Sequence, residues 1–257
     1  MIPLRDNLSC KTFPFVTLTL LLINCVAWGI ELSLGAGEVR PFFMTWAMVP
    51  AKVTEAFATG DPAGMGMAVL TFFTAMFLHG SWMHLIGNMV FLQAFGRAVE
   101  ARLGSLRFAL FYIATGGAAW FFHYFTDPSS MAPALGASGA IAGVLGGYLL
   151  FWPKAQFRCA TFMGPVPILV TVSAFWLLPA WFITQIIPGF SGLADPSAAD
   201  GVAYWAHIGG FVGGFALAAL WQFIKPVSNV CYVPIKCDCQ ADCGGKHKKR
   251  ALRFWEQ

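Results

Sequence analysis

The chain has 257 residues, of which 58% are hydrophobic and only 11% charged. A soluble domain carries about 25% charged residues, so this composition excludes an ordinary soluble globule and defines a polytopic membrane protein. The net charge of +4 is small, and the placement of the charges says more than their sum.

In chain order, residues 1–12 read as a cytoplasmic N-terminus and 13–34 as the first span. That run is too long for a signal peptide and no small-x-small cleavage site follows it. In Leu22-Ile23-Asn24-Cys25, Asn24 stands where lipoprotein processing needs a small residue. A long outer loop is expected over about 35–81. Its end, 67–78, is apolar but too short to cross and is broken at His79-Gly80, which suggests a re-entrant or interfacial element. Further spans are expected at 82–102, 106–125, 136–152, 164–188 and 204–224, each near the ~20 residues that cross a hydrocarbon core. Pro153 ends the fourth, and the fifth carries Phe175, Trp176, Trp181 and Phe182. Residues 225–257 form a polar, cysteine-rich tail. The expected fold class is an all-α membrane protein of six transmembrane helices spanning 13–224.

Orientation follows from Lys and Arg, which favour the cytoplasmic side. With the N-terminus inside, the inner segments hold Arg5, Lys11, Arg97, Arg102, Arg107, Lys154, Arg158 and the seven from Lys225 onward, fourteen of the sixteen. Only Arg40 and Lys52 remain outside. Both termini are therefore expected in the cytoplasm, where six of the seven cysteines would be reduced.

This topology brings a set of polar residues to one level. The second, fourth and sixth spans all run from outside to inside. Ser138 lies two residues into the fourth and His207 three residues into the sixth, both roughly 5 Å below the outer entrance at ~1.5 Å rise per residue. His84 lies two residues into the second span. Asn88 is four residues on, upon the same face and about 6 Å deeper. The glycine series 139/143/147, 209/213 and 210/214 would let these helices touch in lipid. Taken singly, a Gly-x-Ser-Gly stretch reads as a packing element, and a lone membrane histidine or asparagine as a satisfied helix contact. Together, neutral His207 can take the proton of Ser138. The start of a helix offers free N–H groups to a developing oxyanion, and His84 and Asn88 can donate further hydrogen bonds. No acid neighbours His207, so a dyad is expected rather than a triad.

These residues resemble the rhomboid family of intramembrane serine proteases. The matching stretches are Gly136-Ala137-Ser138-Gly139, Ala206-His207-Ile208-Gly209-Gly210 and the run from His79 through Trp82, Met83 and His84 to Asn88. The resemblance implies a six-helix rhomboid-like bundle with Ser138 as nucleophile and His207 as general base. It also implies an oxyanion site of His84, Asn88 and the Ser138 N–H, with His79 as an accessory residue and lateral substrate access near the fifth span under a 189–203 lid. Gly96, Glu100 and Gly104 resemble the family's structural pattern at the inner end of the second span. Two positions depart from it. Ala142 stands where many members place an aromatic ring under the histidine, so His207 must be supported from elsewhere. Trp46 is followed by Ala47 rather than arginine.

The implied activity is endopeptidase cleavage of membrane-protein substrates near the outer membrane boundary, with no cofactor. Two other readings stay open: a catalytically silent rhomboid-like factor that binds membrane proteins, and a transporter or haem protein using His79, His84, His123 and His207. In the tail, Cys231, Cys237, Cys239, Cys243 and His247 could hold zinc, although their spacing is not that of paired C-x₂-C ligands. Its basic residues read as an anchor near anionic lipid, not a nucleic-acid patch. Without a long Arg-rich amphipathic leader, an organellar precursor is not expected, and a bacterial cytoplasmic membrane is the expected location.

Overall fold

The structure, a computed structural model, describes residues 1–8, 12–194 and 201–225. The cysteine-rich tail, with Cys231, Cys237, Cys239, Cys243 and His247, lies outside the described residues, as does part of the 189–203 segment. Ten helices carry the described fold: α1 (Phe15–Ser33), α2 (Val39–Trp46), α3 (Pro50–Thr59), α4 (Pro62–Thr74), α5 (Trp82–Phe91), α6 (Arg97–Leu103), α7 (Ser105–Tyr124), α8 (Ser138–Phe151), α9 (Ala174–Ala194) and α10 (Tyr204–Ile224). A π-helical stretch, Leu92–Gly96, joins α5 to α6. The chain is a multi-pass membrane protein. α1, α9 and α10 are each long and apolar enough to cross a bilayer, and α4 with α5–α6 form a pair bent by 82° that qualifies together.

Two expectations are corrected. The fold is not all helical: β1 (Ile2–Asp6), β2 (Gln156–Met163) and β3 (Val166–Ser173) form an antiparallel sheet in the order β1-β2-β3. The segment 164–173, expected as the start of the fifth span, is instead the turn and second arm of this hairpin, so that helix begins at Ala174. The signal was present. Val166, Ile168, Val170, Thr171 and Val172 are β-branched, and Gly164 at φ 61° opens a two-residue turn. Hydropathy alone does not distinguish an apolar strand from an apolar helix. Phe157 and Cys159 alternate inward from β2 and are fully buried. The Phe157 ring meets Phe95 and Tyr148 at centroid distances of 4.4 and 5.2 Å.

The segment expected as a long outer loop over about 35–81 folds into α2, α3 and α4. It fixes the approach to α8. Met48 and Ala134 exchange backbone hydrogen bonds of 3.0 and 2.8 Å, and Gly136 N–H donates to the Ala75 carbonyl at 2.8 Å. In the turn before it, the Ser129 hydroxyl and N–H both donate to Asp127 at 2.6 and 3.0 Å, holding that carboxyl below the usual carboxylate range.

α8 is the centre of the bundle. Eleven of its fourteen residues are buried, and at about 21 Å it is shorter than a ~30 Å hydrocarbon core. Lipid supplies no hydrophobic force between helices, so close packing must hold them. Glycine permits that packing. A Cβ on Gly210 would collide with the Gly139 carbonyl, one on Gly214 with the Gly143 backbone, and one on Gly146 with the Phe211 carbonyl. The Gly209/Gly213 series faces Phe122 and Ala118 on α7 instead. Gly143 faces Thr115 of the same helix, and that threonine's hydroxyl donates to the Ala140 carbonyl at 3.3 Å.

Two carboxylates tie the end of the bundle where α8 closes and α1 begins. Glu100, 2% exposed, accepts from Val16 N–H, Thr17 N–H, the Thr17 hydroxyl and the Ser105 hydroxyl at 2.7–2.8 Å. It thereby caps α1, whose own N-cap, Pro14, offers no side-chain bond. Asp6 on β1 accepts from the Tyr148 hydroxyl at 2.8 Å and pairs with Arg97 at 3.0 Å, fastening the sheet to the bundle.

Candidate active site

Ser138 is the first residue of α8 and His207 lies in the first turn of α10. The α8–α10 glycine contact sets the two helix starts side by side, and Ser138 Oγ lies 2.7 Å from His207 Nε2. His207 is buried and Ser138 half-buried. A hydroxyl that donates to an imidazole nitrogen at this distance can pass its proton along the bond when an electrophile is attacked. As the first residue of a helix, Ser138 is followed by N–H groups that have no intrahelical acceptor, in the positive end of the α8 dipole.

His84 approaches the same point from α5. Its backbone N–H is capped by Ser81 Oγ at 3.2 Å. Its ring lies against Gly136, where a Cβ would stand 2.6 Å from His84 Nε2 and 3.5 Å from Ser138 Oγ. Gly136 has φ 131°. Glycine is thus required there twice: for its backbone angle and to admit the imidazole.

Asn88 is buried one turn deeper, and its amide nitrogen lies 2.9 Å from His79 Nε2. His79 Nδ1 faces the Phe77 carbonyl at 3.2 Å. That carbonyl can only accept, so Nδ1 carries the hydrogen and Nε2 accepts from Asn88. His79, fully buried, therefore orients the Asn88 amide and leaves its second N–H for another acceptor. Its backbone N–H is held in turn by the Glu31 carboxyl on α1 at 3.1 and 3.2 Å. The rings of His79 and His84 meet edge to face at 5.0 Å.

The support of His207 comes from a residue that the sequence reading missed. Gln185 on α9, 8% exposed, places Oε1 2.7 Å from His207 Nδ1. The rings of Trp181 and Tyr204 flank the imidazole at 6.0 and 6.3 Å. A lone glutamine amid Ile183, Ile186 and Ile187 was the available signal, since a polar side chain inside an apolar helix faces a partner or a cavity. His123, on α7, makes a ring contact with Trp120 at 6.3 Å. Among the described residues, no three His, Cys, Asp or Glu side chains are grouped so as to hold a metal ion.

Fold and site together define a multi-pass helical membrane protein with a serine–histidine pair between two closely packed helices. The chain belongs to the rhomboid family: the Rhomboid domain model matches residues 67–222. It is similar to RHOMBOID-like protein 5 of Arabidopsis thaliana, with 28% identity over 190 residues, 71% of this chain and 52% of the relative. Rhomboid-like protein 11, chloroplastic, of the same plant is 40% identical over 121 residues, covering 47% and 40% of the two chains. Rhomboid protease GlpG of Salmonella choleraesuis (strain SC-B67) is 24% identical over 223 residues, covering 83% and 69%. The chain spans about half or less of the length of the plant relatives it matches.

Proposed function

We propose that this chain is an intramembrane serine endopeptidase that cleaves membrane-protein substrates near the outer membrane boundary. The observation that carries this reading is the 2.7 Å contact between Ser138 Oγ and His207 Nε2. Ser138 attacks the scissile carbonyl while His207 takes its proton, giving a tetrahedral intermediate. His207 then returns the proton to the leaving amine, and an acyl-enzyme remains. Water, activated by the same imidazole, releases the acyl group. The oxyanion is received by the Ser138 N–H, His84 and the free N–H of Asn88, with His79 as the residue that holds Asn88.

In this reading residues 13–224 form six spans with both termini in the cytoplasm. The pairing of β1 with β2 supports it, because residues 2–6 and 156–163 must share one side of the membrane. The short α8 counts as the fourth span. Substrate gains lateral access beside α9, and the cysteine-rich tail lies in the cytoplasm. A bacterial cytoplasmic membrane is the proposed home; the similarity to the protease-named Salmonella protein over most of this chain supports it.

The test is incubation with a single-span reporter. The wild type should cleave it, and Ser138→Ala should leave it intact while folding normally. Cleavage by the Ser138→Ala variant, or a wild type that binds the reporter without cutting it, removes the assignment. The second outcome instead defines a silent binding factor.

A further inference from the structure

We infer that Gln185 is a positioning residue that sets which nitrogen of His207 carries the proton, and thereby the direction of the bond to Ser138. The inference rests on the protease reading above for its consequence, but its geometry is independent of it.

A backbone carbonyl fixes the direction of the first bond. The Trp181 carbonyl can only accept, and the Thr184 hydroxyl lies 2.5 Å from it. The single hydroxyl hydrogen of Thr184 is committed there, so Thr184 Oγ1 meets its other neighbour, the Gln185 amide at 2.9 Å, as an acceptor. The Gln185 NH₂ therefore faces Thr184, with a longer 3.3 Å contact to the Trp181 carbonyl as well. Rotating the amide by half a turn would set its oxygen against both the Trp181 carbonyl and an Oγ1 that has no hydrogen left. Gln185 Oε1 must then be the atom facing His207, and His207 Nδ1 must bear a hydrogen to donate across the 2.7 Å gap. In the neutral ring this leaves Nε2 as a bare lone pair, and the Ser138 hydroxyl is the donor in the second 2.7 Å bond. Donors thus run in one direction from Ser138 through His207, Gln185 and Thr184 to Trp181.

The place of Gln185 in the fold suits this role. It is buried, and its helix is seated on α10 beside the histidine: Phe182 stacks on Phe211 at 4.4 Å and Trp181 contacts the same ring at 6.2 Å. Gln185 also supplies from α9 the support that Ala142 does not supply from beneath the histidine. Because the acceptor is a neutral amide, it orients the ring without placing a second charge in an apolar site, where an unpaired charge is costly.

The experiment combines nitrogen NMR of ¹⁵N-histidine protein with phosphonylation by a fluorophosphonate. In that reaction a bond forms between Ser138 oxygen and phosphorus, fluoride leaves, and the serine proton passes to His207. The wild type should show His207 with a protonated Nδ1 and an unprotonated Nε2. Gln185→Leu should lose this preference and slow phosphonylation about 10–100-fold, the loss expected for one hydrogen bond to a group that becomes charged. Gln185→Glu, which keeps an acceptor oxygen at the same reach, should retain the Nδ1–H tautomer. A wild-type His207 protonated at Nε2 overturns the inference whether or not any variant folds. So does a folded Gln185→Leu protein with unchanged tautomer and rate. A wild type that neither cleaves nor reacts defeats the protease reading instead, while the tautomer still decides the role of Gln185.

Discussion

Gly146 on α8 and Phe211 on α10 are in backbone contact: the hydrogen of the Gly146 Cα points at the Phe211 carbonyl, and no side chain fits between them. With Gly210 against Gly139 and Gly214 against Gly143, this makes one continuous seam between the two helices whose first turns carry Ser138 and His207. Proton transfer between those side chains tolerates little separation, because a hydrogen bond fails beyond about 3.5 Å. In the proposed mechanism the seam is therefore a condition of the chemistry as well as of stability.

Gly146→Ala should accordingly be doubly damaging. Its methyl meets the Phe211 carbonyl and comes 2.9 Å from the Phe215 nitrogen, both backbone atoms that cannot rotate away. The helices must part, at a cost of about 1–3 kcal/mol for overpacking, and Ser138 and His207 part with them. We expect a lower unfolding temperature in detergent and loss of most reporter cleavage. Gly29→Ala on α1 has open space around its Cβ and should change neither.

His79 touches Asn88 rather than Ser138, and the two should fail together. His79→Ala leaves the Asn88 amide without its buried partner and frees it to turn. Stranding a buried polar group costs about 1–3 kcal/mol. Turnover should fall through weaker oxyanion binding, but less than in Ser138→Ala, because His84 and the helix N–H groups remain. Combining His79→Ala with Asn88→Ala should add little to the loss in rate already caused by Asn88→Ala alone. A double-mutant cycle on cleavage and on thermal unfolding measures this coupling. Strictly additive rate effects would show that His79 does not act through Asn88.

The meeting of Ser138 and His207 was legible because the spacing of small residues on a helix is itself geometric information. A glycine every fourth residue names a face. Which face meets which neighbour was less legible: the 139/143/147 series turns its missing side chains chiefly toward α7, and Gly146 opens squarely toward α10. The 156–173 hairpin was lost to hydropathy, since its second arm is as apolar as the helix that follows. Gln185 was lost for a different reason. It lies twenty-two residues from His207 on a different helix, and its contact appears only once α9 is seated against α10. Long-range pairing of this kind leaves no periodic trace along the chain.

Glu100 offers a test that separates stability from chemistry. Its two oxygens receive four donors from α1 and α7, and the start of α1 has no other side-chain cap. Glu100→Gln keeps the shape but replaces one acceptor oxygen with an NH₂ that faces existing donors. Hydrogen bonds to a charged group contribute about 1.5–3 kcal/mol each, so the loss should be about 2–4 kcal/mol after partial relaxation. α1 would loosen at its start, whereas Ser138 and His207 sit where the α8–α10 glycine seam holds them. We expect a clearly lower unfolding temperature with the rate of Ser138 phosphonylation, measured well below that temperature, within about twofold of the wild type. Equal damage to both would mean that the Glu100 cap and the Ser138–His207 site belong to one cooperative unit, and that α1 helps to set the Ser138–His207 distance.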